Sequence, residues 1–198
     1  MNGELFFVLD VPVKYRLEIE YDETDNNVIA SGIPQEILEY LSKKLNELSI
    51  KTKVEYNNDI IKSYINANNS LADLFISVRV LFKESDPNSW AAVQYFKSNN
   101  YFSVSLGNSI VYRLNKIMNN GKPLFEKALI KEEDIPHPAE KSISSSILAL
   151  CLGFNALSVY NLNKDYFIET ITNVLLNSIM DCLDTEMSNE IDLSEFAD

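Results

Sequence analysis

Short β-rich apolar runs alternate with amphipathic helical segments along most of this chain, and this alternation constrains the fold more than any other feature. The strand-like runs cover residues 5–9, 51–56, 74–78, 91–97 and 147–152. The helical segments cover residues 34–48, 59–69, 105–118 and 165–183. Strands that alternate with helices predict an α/β fold with a mixed, mostly parallel sheet and helices on both faces.

The first and last helical segments have the clearest periodicity. Pro34 opens the first one, and its apolar positions have the spacing of one buried face: Ile37, Leu38, Leu41, Leu45 and Leu48. A chain of 198 residues suffices for one domain with a sizeable core. We therefore expect a single domain over residues 1–183 and an acidic C-terminal tail over residues 184–198. That tail could dock a partner or simply keep the protein soluble.

The net charge of the chain restricts the classes of partner that it can bind. A net charge of −12 at pH 7 disfavours nucleic acid and anionic membrane surfaces, because both would repel the protein. No apolar run has the length of a transmembrane helix. The apolar stretch at residues 5–9 follows Glu4 and no basic residue, so it does not resemble a signal peptide. The sequence as it stands predicts a cytoplasmic protein, or an exported one if a leader has been removed.

Cysteine and histidine are scarce. Cys151 and Cys182 are the two cysteines, and His137 is the single histidine. Two isolated cysteines form neither a disulfide framework nor a zinc knuckle. One histidine also limits metal chemistry, since catalytic zinc sites draw mainly on imidazoles and carboxylates.

Three segments together resemble the zinc-dependent N-acetylmuramoyl-L-alanine amidases. Residues 65–78 are similar to the family's stretch in which a helix ends with Ala-Asn and a turn leads into Ala-Asp-Leu-Phe-Ile-Ser-Ile-His. Residues 147–155 resemble its Val-Leu-Val-Glu-Leu-Gly-Phe strand, and residues 7–10 resemble its first strand, which ends in Asp-Pro-Gly-His. The elements between the segments also agree in order, so the resemblance covers nearly the whole chain.

The resemblance implies a single three-layer domain with a six-stranded sheet. It implies an enzyme that cuts the amide between the lactyl group of muramic acid and the first L-alanine of the peptide stem. In such enzymes two histidines and a glutamate hold zinc, and a further glutamate is the general base. Zinc activates a water molecule and polarises the carbonyl, while the carboxylate moves the proton.

The residues that carry this chemistry are replaced here. Val13 stands where the first histidine would follow Asp10, and Arg79 stands where the second would follow Val78. Cys151 takes the place of the catalytic glutamate. Valine offers no lone pair, and a guanidinium has no acceptor and stays protonated.

The remaining metal ligand has no unique counterpart. The family's ligand glutamate lies near the start of the first helix, where Glu36 could fill its place, as could Gly32 or Pro34 in a loose alignment. We therefore predict no metal at this site.

Several residues admit two interpretations. Arg79 could hold an anion in place of the metal, or form an ion pair with Asp10 or Glu36. Cys151 could be a nucleophile with His137 as its base, or a small buried strand residue.

Two further groups of residues also admit two interpretations each. The acidic run over 132–134 could hold a metal but is more typical of a solvated surface. Trp90 and the aromatic residues between 95 and 102 could line a glycan groove or pack in the core.

The leading functional hypothesis is a degenerate amidase that binds without cutting. It would bind a partner protein or an anionic muramyl or peptide ligand through the former active-site cleft. The alternative is an active N-acetylmuramoyl-L-alanine amidase with altered metal ligands, and a third possibility is a Cys–His hydrolase.

Overall fold

The computed structural model describes residues 5–12, 33–57, 65, 69, 71–82, 89–96, 101–133, 146–154 and 163–194. Three long helices are present in these ranges: α1 (Ile33–Glu47), α2 (Tyr101–Leu114) and α3 (Lys164–Ser194). The strands are β1 (Phe6–Pro12), β2 (Lys51–Asn57), β3 (Leu74–Phe82), β4 (Trp90–Phe96), β5 (Met118–Asn119), β6 (Lys122–Pro123), β7 (Lys127–Glu133) and β8 (Ser146–Phe154). The predicted α/β class is confirmed. No helix in the described part is long and apolar enough to span a membrane.

Six of the strands form one mixed sheet in the order β2-β1-β3-β8-β4-β7. The first four lie parallel to one another, whereas β4 runs antiparallel to β8 and parallel to β7. Helix α1 connects β1 to its parallel neighbour β2, and α2 lies between β4 and its parallel neighbour β7, as parallel pairs require. The carboxyl ends of β1, β3 and β8 therefore meet at one edge of the sheet.

One apolar core joins the three long helices to a single face of the sheet. Helix α3 packs between α1 and α2, while α1 covers β1 to β3 and α2 covers β4, β7 and β8. The strand positions that face this core alternate, as a pleated strand requires. They are Phe7, Leu9, Leu74, Ile76, Val78, Ala91, Val93, Leu150 and Leu152.

The intervening strand positions belong to the other face of the sheet. Phe75, Ser77 and Ala92 are on this face and are buried as well. The predicted helix over residues 59–69 lies mostly outside the described residues. Helices on both faces therefore remain a prediction.

Strand β7 was not among the strand-like runs identified in the sequence, yet it is one of the six strands of the sheet. Among the strands that the structure describes, β7 is at the edge of the sheet and pairs with β4. Lys127 and Leu129 on it are exposed, and this partial exposure explains why the segment shows so little apolar character. The side-chain amide of Asn115 hydrogen-bonds both the N–H (3.1 Å) and the C=O (3.3 Å) of Ala128, much as a neighbouring strand would.

The last helix is longer than predicted, since it ends at Ser194 rather than at residue 183. No glycine or proline interrupts residues 184–194, and Met187 and Ile191 continue the four-residue spacing that begins at Leu183. The expected boundary between domain and tail therefore falls inside a helix. Among the residues whose burial the structure describes, the core extends along α3 as far as Cys182, with Leu183 packed against it.

Residues 185–198 are rich in acidic residues with only scattered apolar ones, so deleting them should change the free energy of unfolding by less than about 1 kcal/mol. The matched control is Leu175→Ala, which removes a fully buried side chain of the same helix and should cost about 2–5 kcal/mol. Chemical denaturation followed by circular dichroism measures both. A loss on truncation as large as that of Leu175→Ala would show that the end of the helix is part of the packed fold.

Candidate functional site

The sheet brings the positions singled out in the sequence to the carboxyl edge of β1, β3 and β8. Arg79 and Cys151 are direct cross-strand partners in the β3–β8 ladder. Asp10 is the partner of Ser77 in the β1–β3 ladder. Ligand sites of open α/β sheets lie at the carboxyl ends of the strands, so this edge is the candidate site.

These positions also share one face. Leu9, Val78 and Leu150 point into the helical core, so the residues that follow each of them belong to the opposite face. Positions 10, 79 and 151 therefore lie on the face of Ser77. Of the other candidates, Val13 and His137 lie outside the described residues.

Ser77 contributes a buried polar atom to this face. It is completely buried, and its Oγ has no hydrogen-bond partner within the described ranges. A buried hydroxyl without a protein partner is a group to which water or a ligand can bond. Ser77 therefore places one buried hydroxyl on this face of the sheet, beside the strand positions of the candidate site.

Glu36 occupies the first turn of α1, on the side of the sheet that carries the helices. Its Oε1 accepts a hydrogen bond from Lys164 Nζ at 2.7 Å, in a partly exposed ion pair. It borders a groove of about 540 Å³ between α1 and α3, lined also by Glu39, Tyr40, Lys43, Asp165, Ile168 and Glu169. The charge of Glu36 is thus already balanced by a cation of the chain itself.

Most of the aromatic and acidic candidates lie away from this edge. Tyr95 and Phe96 pair with Glu132 and Glu133 at the carboxyl ends of β4 and β7. Because β4 runs antiparallel to β8, those ends lie at the opposite edge of the sheet. Asp134 lies outside the described residues.

Trp90 is the aromatic residue that lies at the candidate edge. It begins β4 and is the cross-strand partner of Gly153, two residues beyond Cys151 in β8. It is partly exposed. The sequence alone could not show whether Trp90 lies at this edge or in the core, because its pairing with Gly153 joins residues far apart in the chain.

The residues at this edge do not fit a zinc ion. Zinc takes imidazole, thiolate or carboxylate ligands, usually with three from the protein in a catalytic site. Position 79 is an arginine, which is permanently charged and has no lone pair to donate. No cluster of three or more histidine, cysteine, aspartate or glutamate residues is found within the described ranges.

No protein-family model matches this chain, and no curated protein matches it either. Solved structures do match it over nearly its whole length. N-acetylmuramoyl-L-alanine amidase AmiC2 of Nostoc punctiforme is 12% identical, with a TM-score of 0.60, over 93% of this chain and 99% of that one. An N-acetylmuramoyl-L-alanine amidase from Clostridium difficile 630 is 15% identical, with a TM-score of 0.61, over 92% and 98%.

The CwlD amidase from Clostridioides difficile, solved in complex with the GerS lipoprotein, is 14% identical. Its TM-score is 0.55, over 92% of this chain and all of that one. The chain therefore has the fold of the N-acetylmuramoyl-L-alanine amidases, in agreement with the resemblance seen in its sequence.

Proposed function

We propose that this protein, which has the fold of the N-acetylmuramoyl-L-alanine amidases, binds a ligand at the former active-site edge and does not hydrolyse it. One observation carries the proposal: the direct pairing of Arg79 with Cys151 at the carboxyl ends of β3 and β8. By the resemblance of the sequence to the amidases, these two positions correspond to those of a zinc ligand and of the general base.

The physical reason is the chemistry of the two side chains. A guanidinium beside the site would repel a divalent cation and cannot coordinate it. A cysteine in place of a glutamate removes the carboxylate that would accept a proton from the attacking water. The same guanidinium favours an anion, since arginine binds carboxylates in a bidentate arrangement.

Two classes of ligand are candidates for binding at this edge of the sheet. The amidases it resembles act on a muramoyl-L-alanine bond, which makes an anionic muramyl or peptide fragment one candidate. CwlD was solved in complex with a lipoprotein, so an amidase of this fold can also assemble with a protein partner. We favour the small anionic ligand, because Arg79 supplies a specific group to receive it.

Metal content and hydrolysis test the proposal. Protein purified without added zinc should contain much less than one zinc per chain, and should release no stem peptide from muramyl peptides or sacculi with or without added zinc. The amidase from Clostridium difficile 630, assayed in parallel, checks that the assay detects hydrolysis.

Stoichiometric zinc that is lost in Glu36→Gln but kept in Glu39→Gln would overturn the proposal in favour of an active amidase with altered ligands. Glu39 is the matched control because it lies on the same exposed side of α1 and borders the same groove. Turnover above that of heat-inactivated protein would overturn it equally.

A further inference from the structure

We propose that the groove between α1 and α3 is a docking site for a partner protein, which inserts an arginine of a basic segment between the two helices. The groove has a volume of about 540 Å³, and its described lining consists of residues of these two helices. It is therefore separate from the strand positions at the carboxyl edge of the sheet. The inference goes beyond the proposed function and does not rest on it.

The lining of the groove carries a surplus of negative charge. Its charged residues within the described part of the chain are Glu36, Glu39, Asp165, Glu169 and Lys43. Lys164 adds a second cation through its ion pair with Glu36. Four carboxylates and two ammonium groups leave a net charge of −2, which favours a cationic partner.

The helix dipoles explain only half of these carboxylates. Glu36 and Asp165 are in the first turns of α1 and α3, where a carboxylate stabilises the positive end of the helix. Glu39 and Glu169 lie beyond the first turn, where that effect has faded. Asp165 and Glu169 are also four residues apart on one helix, a spacing at which like charges destabilise it. A cation bound in the groove would relieve this repulsion.

The groove also offers an apolar surface to the stem of a long side chain. Ile168 and Tyr40 both line it, and Ile168 is buried whereas Tyr40 is half-buried. The ring of Tyr40 already attracts a cation of the chain, since Lys44 Nζ lies 4.9 Å from the ring centroid. Arginine combines an apolar stem with a planar cation that stacks on aromatic rings and donates several N–H groups to carboxylates. The lining therefore favours arginine over lysine.

The exposure of the carboxylates favours a protein partner over a free polyamine. Glu39, Asp165 and Glu169 are exposed, so the groove is open to solvent. Small molecules usually bind in pockets that enclose most of their surface, which an open groove does not. A protein covers the exposed rim with neighbouring residues and excludes water from the central contact, where arginine is enriched.

An ordinary solvated acidic surface is the competing explanation, because the whole chain has a net charge of −12. A basic peptide would then respond to the total charge of the chain and not to the groove. Glu126 separates the two explanations, because it is exposed and lies just before β7, outside both helices of the groove. Glu126→Lys changes the net charge as much as Glu169→Lys does, but at a different place on the surface.

The experiment is a fluorescence anisotropy titration of the full chain with a labelled peptide in which two arginines flank a leucine. The control peptide has citrulline in place of arginine, which keeps the shape of the side chain and removes its charge. We expect the arginine peptide to bind with a Kd on the order of 0.1 mM or lower. The citrulline peptide should bind at least about tenfold more weakly, because it loses the charge-assisted hydrogen bonds.

Titrations of variants locate the contact. Glu169→Lys should weaken binding of the arginine peptide by about tenfold or more, because a like charge replaces a carboxylate of the groove. Glu126→Lys should weaken it by less than about threefold, since solvent screens a distant exposed charge. Tyr40→Leu should weaken it by about two- to fivefold, whereas Tyr40→Phe should not, because it keeps the aromatic ring.

A charge exchange tests the contact from the side of the peptide. A peptide with glutamate in place of one arginine should bind Glu169→Lys more tightly than it binds the native chain. Circular dichroism establishes that each variant is folded. Glu169→Gln, with a smaller loss of affinity for the arginine peptide, keeps the test valid if Glu169→Lys is not folded.

Equal losses of affinity in Glu169→Lys and Glu126→Lys would overturn the inference, because binding would then follow the total charge of the chain. An arginine peptide that does not bind the native chain would overturn it as well. Spermidine that binds as tightly as the arginine peptide would replace the protein partner with a free polyamine. None of these measurements involves zinc or hydrolysis, so their outcome is independent of the proposed function.

Discussion

Replacing Gly153 with alanine should lower the free energy of unfolding by about 2–3 kcal/mol. The added methyl group would overlap the indole of Trp90, and relief requires the ring or the strand to move. A rigid fused ring in contact with backbone cannot accommodate the methyl group by rotating a terminal bond. Chemical denaturation of the variant and of the native chain measures the loss.

Gly107→Ala is the matched control. A Cβ on Gly107 would lie 2.8 Å from Cδ1 of Ile130, the end of a flexible side chain that can move aside. Alanine also has a higher helix propensity than glycine by about 1 kcal/mol, which offsets the crowding. The net effect at Gly107 should therefore stay below about 1 kcal/mol.

A double-mutant cycle shows whether the clash with Trp90 is the cause. In a Trp90→Ala background the Gly153→Ala substitution should cost much less, because the overlapping ring is absent. If Gly153→Ala lowers the free energy of unfolding equally in both backgrounds, the clash with Trp90 is not the cause. The cause would then be the backbone conformation of Gly153. A shift of the tryptophan emission in Gly153→Ala would report the displaced ring directly.

The sequence was most informative where strands are fully buried. The run over residues 74–78 reads as an apolar central strand because every one of its side chains is buried. It was least informative at edge strand β7, where Lys127 and Leu129 are exposed and charged residues occupy both ends of the strand. The end of α3 was also missed, because acidic residues beyond Leu183 obscure the apolar spacing that Met187 and Ile191 continue.

The candidate site shows the same contrast. Arg79 and Cys151 could be singled out because the resemblance to the amidases marks their positions in two separate strands, and these strands are neighbours in the sheet. The partner of Glu36 could not, since Lys164 lies at the start of another helix and no local pattern links the two residues. The pairing of Trp90 with Gly153 depends on the register between β4 and β8, which the periodicity of the sequence alone does not determine.

The ion pair of Glu36 with Lys164 also narrows the possible partners of Arg79. Both Asp10 and Glu36 were candidates from the sequence. Glu36 already has a cation at 2.7 Å, whereas Asp10 is the cross-strand partner of Ser77, two residues before Arg79 in β3. Diagonal neighbours on one face of a sheet are within reach of a long side chain. Asp10 is therefore the partner we expect for Arg79 when no ligand is bound.

If that pair forms, Arg79→Ala should lower the free energy of unfolding by roughly 1–3 kcal/mol, because the carboxylate of Asp10 loses its partner. The matched control is Arg113→Ala. Arg113 pairs with Asp181 between α2 and α3, and their side chains are 32% and 56% exposed. An exposed pair of this kind contributes about 0–1 kcal/mol, so the control should change stability little.

The pairing itself is tested by the cycle of Arg79→Ala, Asp10→Asn and the double variant, with chemical denaturation at low and high salt. A coupling of about 1 kcal/mol or more between the two positions is expected, since neighbours in one ion pair do not act additively. It should persist at high salt if the pair is shielded from solvent. Additive effects of the two substitutions would show that Arg79 does not pair with Asp10, and would leave its charge fully available to a ligand.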